Sequence, residues 1–129
     1  GIAIIGILSA VVLASLNTAR SKGNDAAIQS NLSTIQTAAE IYYGGLGRNS
    51  YGTTAYDCTS GMFAASQTIA NAINGANNAN GYVACNSTGN EYAVQAQLSA
   101  YNGNYWCIDS TGSAKQESTP LTAGATVCQ

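Results

Sequence analysis

The chain has 129 residues, of which only 8% are charged and 46% are apolar, with a net charge of −2. That length fits one domain, or one domain with an appended element. Four scattered basic residues (Arg20, Lys22, Arg48, Lys115) cannot neutralise a phosphate backbone, which excludes nucleic acid as a main partner. The absence of His removes the usual general base near neutral pH and the commonest metal ligand. The polarity comes from 13 Asn, 13 Ser and 12 Thr, a surface wetted by uncharged groups.

The first sixteen residues, GIAIIGILSAVVLASL, hold two polar side chains, Ser9 and Ser15, and no charge. As a helix this run rises about 24 Å, against about 30 Å for a hydrocarbon core, so it is about four or five residues short of a span. No basic segment precedes it and no A-x-A site ends it, so it does not read as a secretory signal. With no start methionine, the apolar helix is expected to begin before Gly1.

From Asn17 to Tyr43 the chain has no Pro and one Gly. Ile28, Leu32, Ile35, Ala39 and Tyr42 recur at steps of 4, 3, 4 and 3, one stripe at helical spacing. Gln29, Ser33, Gln36, Thr37 and Glu40 face away. Clustered glycines at 44, 45 and 47 end the helix. The expectation is one helix over 1–43, about 65 Å long, apolar on every face over 1–16 and on one face over 17–43.

The stretches IAIIGILSAVVLASLNTARSKG and AAIQSNLSTIQTAAEIYY closely resemble the amino-terminal helix of bacterial type IV pilins and type II secretion pseudopilins, over about residues 2–43. The resemblance implies an α+β type IV pilin fold, a long N-terminal helix packed on a small antiparallel sheet. It implies a prepilin cut by a dedicated peptidase and N-methylated, and held in the cytoplasmic membrane with its head outside. Assembly machinery then extracts it into a helical filament at the cell surface. The cleavage site and the family's near-terminal Glu are expected before Gly1, so no residue here is assigned to processing. The family's frequent Pro in the apolar half is missing; the only Pro is Pro120, and Gly6 is the weak point of the first turns. Arg20 and Lys22 alone would put the end of the apolar run in the cytoplasm. The cysteines and the resemblance put it outside.

On this reading Ile2, Ile4, Ile5, Gly6, Leu8, Val11, Val12, Leu13 and Leu16 pack in the filament core. Gly6, Ser9, Ala10 and Ala14 let neighbouring helices approach closely.

Residues 44–129 form the head. Residues 44–60, with four Gly and no periodicity, read as a long surface loop. GMFAASQTIANAING reads as one short helix capped by Gly75, with Met62, Ser66, Ile69 and Ile73 on one face. ANNANG is a turn or loop, and YVAC allows a short strand. In EYAVQAQLS, Tyr92, Val94, Ala96 and Leu98 alternate with Ala93, Gln95, Gln97 and Ser99, a half-buried strand. NYWCID is the next strand, and DSTG turns into SAKQ. A sheet over the amphipathic half of the helix would bury Ile28, Leu32, Ile35, Tyr92, Val94, Leu98 and Trp106. Ala39 and Tyr42 complete the helix–head contact.

Cys58, Cys85, Cys107 and Cys128 include no C-x-x-C pair and have no His partner, so a metal site is not expected. An even count in a small polar chain reads as two disulfides in an oxidising compartment; four buried free thiols are the alternative. Four cysteines allow three pairings. The one that closes successive loops without crossing joins Cys58 to Cys85 and Cys107 to Cys128.

Asp109-Ser-Thr-Gly112 is an ordinary Asp-initiated turn or half of a calcium loop. Asp57, Glu91, Asp109 and Glu117, the head's only acidic side chains, are dispersed, which favours the turn and no cofactor. Asn31-Leu-Ser33 and Asn86-Ser-Thr88 match the glycosylation sequon, the first on the helix, leaving Asn86 as the candidate acceptor. Tyr42 and Tyr43 read as packing residues. No nucleophile–base pair, phosphate loop or two-carboxylate site is visible, so an enzyme is not expected. The leading expectation is a major pilin whose partner is itself. A secretion pseudopilin, which bound calcium would favour, and a minor or adhesive pilin are the alternatives.

Overall fold

The computed structural model describes residues 2–79, 82–99 and 104–129, with side chains from Leu16 onward except that of Asn17. Helix α1 runs without interruption over Ile2–Gly44. Two shorter helices follow, α2 (Met62–Ala65) and α3 (Gln67–Asn78). Strands β1 (Val83–Ser87), β2 (Tyr92–Gln97), β3 (Tyr105–Asp109) and β4 (Ala114–Glu117) form an antiparallel meander in sequence order. The register pairs Cys85 with Val94, Val94 with Ile108, and Ile108 with Ala114. The result is an α+β fold with a long helix on a four-stranded sheet and two disulfides.

The helical stripe does what its spacing requires. Ile28, Leu32, Ile35 and Ala39 have no exposed surface and meet Tyr92, Val94 and Leu98 in one core. Tyr42 and Trp106 are only partly buried at its edge. The turn after α1 is tight, with the Gly47 N–H donating to the Tyr42 carbonyl at 2.7 Å.

Four expectations need correction. The segment 61–75 is not one helix capped by Gly75. Ser66 adopts an extended conformation, breaks the helix and caps α3 by accepting from the Ile69 N–H at 3.3 Å. Helix α3 then passes through Gly75 to Asn78, so the start of ANNANG is helical. Gly75 instead faces α1, where a Cβ would lie 2.7 Å from Asn31 Oδ1. Second, the sheet does not cover the helix alone: α3 also packs on α1, burying Ile69, Ala72, Ile73 and Ala76. Third, residues 44–60 are not wholly a surface loop. Tyr51 and Ala55 are buried, and Ala55 bridges to Ser87. Fourth, β2 is buried on both faces from Tyr92 to Ala96 rather than on one. The C-terminal segment lies over its outer face.

Candidate functional site

The feature that distinguishes this chain is the long helix and the way the head grips its second half. The grip is apolar at its centre and polar at its ends. At one end Asp25, buried on α1, accepts from Ser99 N–H at 2.6 Å and from Ser99 Oγ at 2.8 Å. In the middle Gln36 Nε2 donates to the carbonyls of Asp109 and Ser113 at 3.2 and 3.1 Å, tying α1 to the β3–β4 turn. At the other end the Tyr51 hydroxyl donates to Glu40 Oε1 at 2.8 Å. The Tyr51 ring bridges Tyr43 and Tyr92, with ring centroids 4.8 and 4.9 Å away. Burial, and then the bond to Glu40, pushes the Tyr51 hydroxyl well above the ordinary phenol range. Tyr92 moves the same way, through burial first and then the charge of Glu40. Both rings therefore stay neutral and act as packing and hydrogen-bonding groups.

Asp25 lies three residues before Ile28 and so extends the apolar stripe by one position. A lone carboxylate on a buried stripe was the available signal for this contact. The expectation that Gln36 faces away is corrected: it is half-buried against the β3–β4 turn, a contact that helical spacing alone does not report.

The predicted disulfides are both formed, Cys58–Cys85 and Cys107–Cys128. The second holds a C-terminal strap over the outer face of the sheet. Gln95 Nε2 donates to Glu117 Oε1 and to the Thr119 carbonyl, while its Oε1 accepts from Leu121 N–H at 2.7 Å. Asn86 Nδ2 donates to the carbonyls of Thr122 and Ala125. This last contact bears on Asn86 as a candidate sugar acceptor, a sequon of a kind that arises by chance in a chain rich in Asn, Ser and Thr. The residue is 5% exposed, and the nitrogen that would carry the glycan already holds the strap.

Asp109 is fully buried at the start of its turn. It accepts from Thr111 N–H, Thr111 Oγ1, Ser113 N–H and Cys128 N–H, the last at 2.7 Å. Burial pushes its carboxyl up, but these donors outweigh it and hold it below the usual carboxylate range. The other three head carboxylates also hold protein donors: Asp57 accepts from Thr59 and Ser60, Glu91 from Thr126, and Glu117 from Gln95 and Gln129 N–H. Among the described residues, Cys107, Glu117 and Cys128 bring ligand-type atoms within 4.8 Å of one another, but both sulfurs are committed to the disulfide.

The side chains of Ile2, Ile4, Ile5, Leu8, Val11, Val12 and Leu13, and Gly6, lie outside the described residues; Leu16 is exposed. Among the described residues, no helix is long and apolar enough to cross a membrane. An open groove of about 480 Å3 lies beside the end of α1, lined by Ala38, Ile41, Tyr42, Leu46, Ala65 and Thr68 among others. No protein-family model, no curated protein and no solved structure matches the chain.

Proposed function

We propose that this chain is a structural subunit that polymerises into an extracellular helical filament of the type IV pilus kind, through its apolar N-terminal helix. One observation carries the reading: a single helix of 43 residues, whose second half carries the face the head buries and whose opening turns are apolar in sequence on every face. Such a rod is unstable in water, because apolar surface costs about 25 cal/mol for every Å2 left wet. In a bundle of parallel copies the same surface is covered, and head-to-tail stacking of identical contacts propagates without closing. The disulfide-stapled head, wetted by Asn, Ser and Thr, suits the outside of such a polymer and an oxidising exterior. Residence in the cytoplasmic membrane before assembly, peptidase cleavage and N-methylation follow from the resemblance of residues 2–43 to the pilin helix.

Electron microscopy of the purified full-length mature protein after detergent removal tests the reading. Filaments are the expected outcome, and a protein that stays monomeric without detergent sinks it. Sheared cell-surface filaments composed mainly of this chain would identify a major subunit.

A further inference from the structure

Ile41 and Leu46 are 71% and 82% exposed, and both line the open groove beside the end of α1. Single exposed apolar residues are ordinary, but two on one groove mark a contact surface. A second trough of about 260 Å3 continues the groove along α1 and shares Ala38, Ile41 and Thr68 with it. Together they run from Ser33 to Leu46, between α1 and the first turn of α3, over a length of about 18 Å. No residue lining either part is charged. A trough of this form takes the apolar face of a helix rather than a charged ligand. The chain itself carries an occupant of matching chemistry and length. Residues 1–16 hold no charge and rise about 24 Å as a helix. They cannot fold back onto the trough of their own copy, because α1 runs unbroken over Ile2–Gly44 and forms one wall of that trough.

We propose that the trough beside the end of α1 receives residues 1–16 of a second copy of this chain. This contact rests on the filament reading and gives the apolar segment the surface it meets. Segment and trough lie about 45 Å apart along one helix, centre to centre. A parallel neighbour displaced by that length presents its segment to the trough. Each added copy then leaves a free trough at one end and a free segment at the other, a heterologous contact that propagates without closing. Ile41 and Leu46, which the head leaves wet, become covered in it.

The test uses the full mature chain with a benzophenone amino acid in place of Ile41 or, in a second sample, of Leu46. Labelled (15N) and unlabelled copies are mixed and assembled by detergent removal. Irradiation and tryptic mass spectrometry are expected to join the benzophenone to the peptide ending at Arg20, with one partner labelled and the other not. Ile41→Arg is expected to cut filament yield about tenfold or more, since the trough would then close on an unpaired charge. The thermal transition of the head should stay unchanged, because this side chain is already exposed. Leu46→Arg repeats the measurement at the end of the trough, and Ile41→Leu is expected to keep the yield. Tyr56→Arg, at a site equally exposed but outside the trough, is expected to leave the yield within about twofold. Wild-type filaments whose adducts fall only on head peptides, or on no second copy, overturn the contact and leave the filament reading standing. Normal filaments from both Arg variants do the same. A wild-type chain that forms no filaments overturns both.

Discussion

Asp109 is buried among four donors drawn from its own turn and from Cys128, nineteen residues away. Its carboxyl is held below the usual range, so the folded state binds its proton less readily than the unfolded chain does. The stability this confers is fully present above the unfolded value of about 3.9 and is lost as pH falls through the folded value. Chemical denaturation followed across pH should therefore show a falling limb below about pH 4, and Asp109→Asn should flatten it. At pH 7 the same variant should lose about 1–3 kcal/mol, since a buried charged acceptor of N–H groups is replaced by an amide. Gly61 makes a different demand. Its φ of 59° with ψ of −143° is a region closed to other residues, and a Cβ would sit 2.8 Å from the Thr53 carbonyl oxygen. Gly61→Ala should cost about 2–3 kcal/mol in urea denaturation, with Cys58–Cys85 still formed. Single residues of this kind were poorly legible in the sequence. DSTG read as a turn but not as an anchor for the C-terminus, and Asn86 read only as part of a sequon because its partners lie 36 and 39 residues away.

Elements were more legible where a period set them. The stripe from Ile28 to Tyr42 located the buried face of α1, and NYWCID located β3, because local alternation and helical spacing report which side is wet. The α2–α3 break was missed, since Met62, Ile69 and Ile73 keep helical phase across Ser66 while Ser66 itself caps α3. Strand β2 was read as half-buried for a similar reason. Gln95 looks like a solvent-facing residue until the strap satisfies its amide on both sides. That strap contains few buried apolar groups, so its hold is polar and covalent. Replacing Cys107 and Cys128 by Ser should cost about 3 kcal/mol, as expected for a loop of about twenty residues. The Leu121 and Cys128 amides, now bonded to Gln95 and Asp109, should then exchange far faster than those of β2. Equal protection before and after would mean that the polar contacts hold the strap without the disulfide.

At the scale of the whole molecule, the second half of the helix carries the face the head covers, and the first half is apolar in sequence on every face. Under the filament reading, Val11→Asp places a carboxylate in a segment that must be dry after assembly, where a buried unpaired charge costs several kcal/mol. The expected outcome is loss of filaments by electron microscopy, with both disulfides and the thermal transition of the head unchanged, because the head's core is built on the stripe from Ile28 onward. Normal filaments from this variant would remove the apolar run from the assembly interface. Sequence alone determined the long helix and its two halves, the glycine turn that ends it and two of the strands, and it favoured the non-crossing disulfide pairing that the structure then decided. Each of these follows from local spacing or from the order of a few residues along the chain. Only the tertiary structure decided that α3 shares the helix with the sheet, that β2 is covered twice, and which polar side chains fasten the parts. Ser99 reaches Asp25 across 74 positions and Ser113 reaches Gln36 across 77, and a hydrogen bond over such a separation leaves no period in the sequence to read.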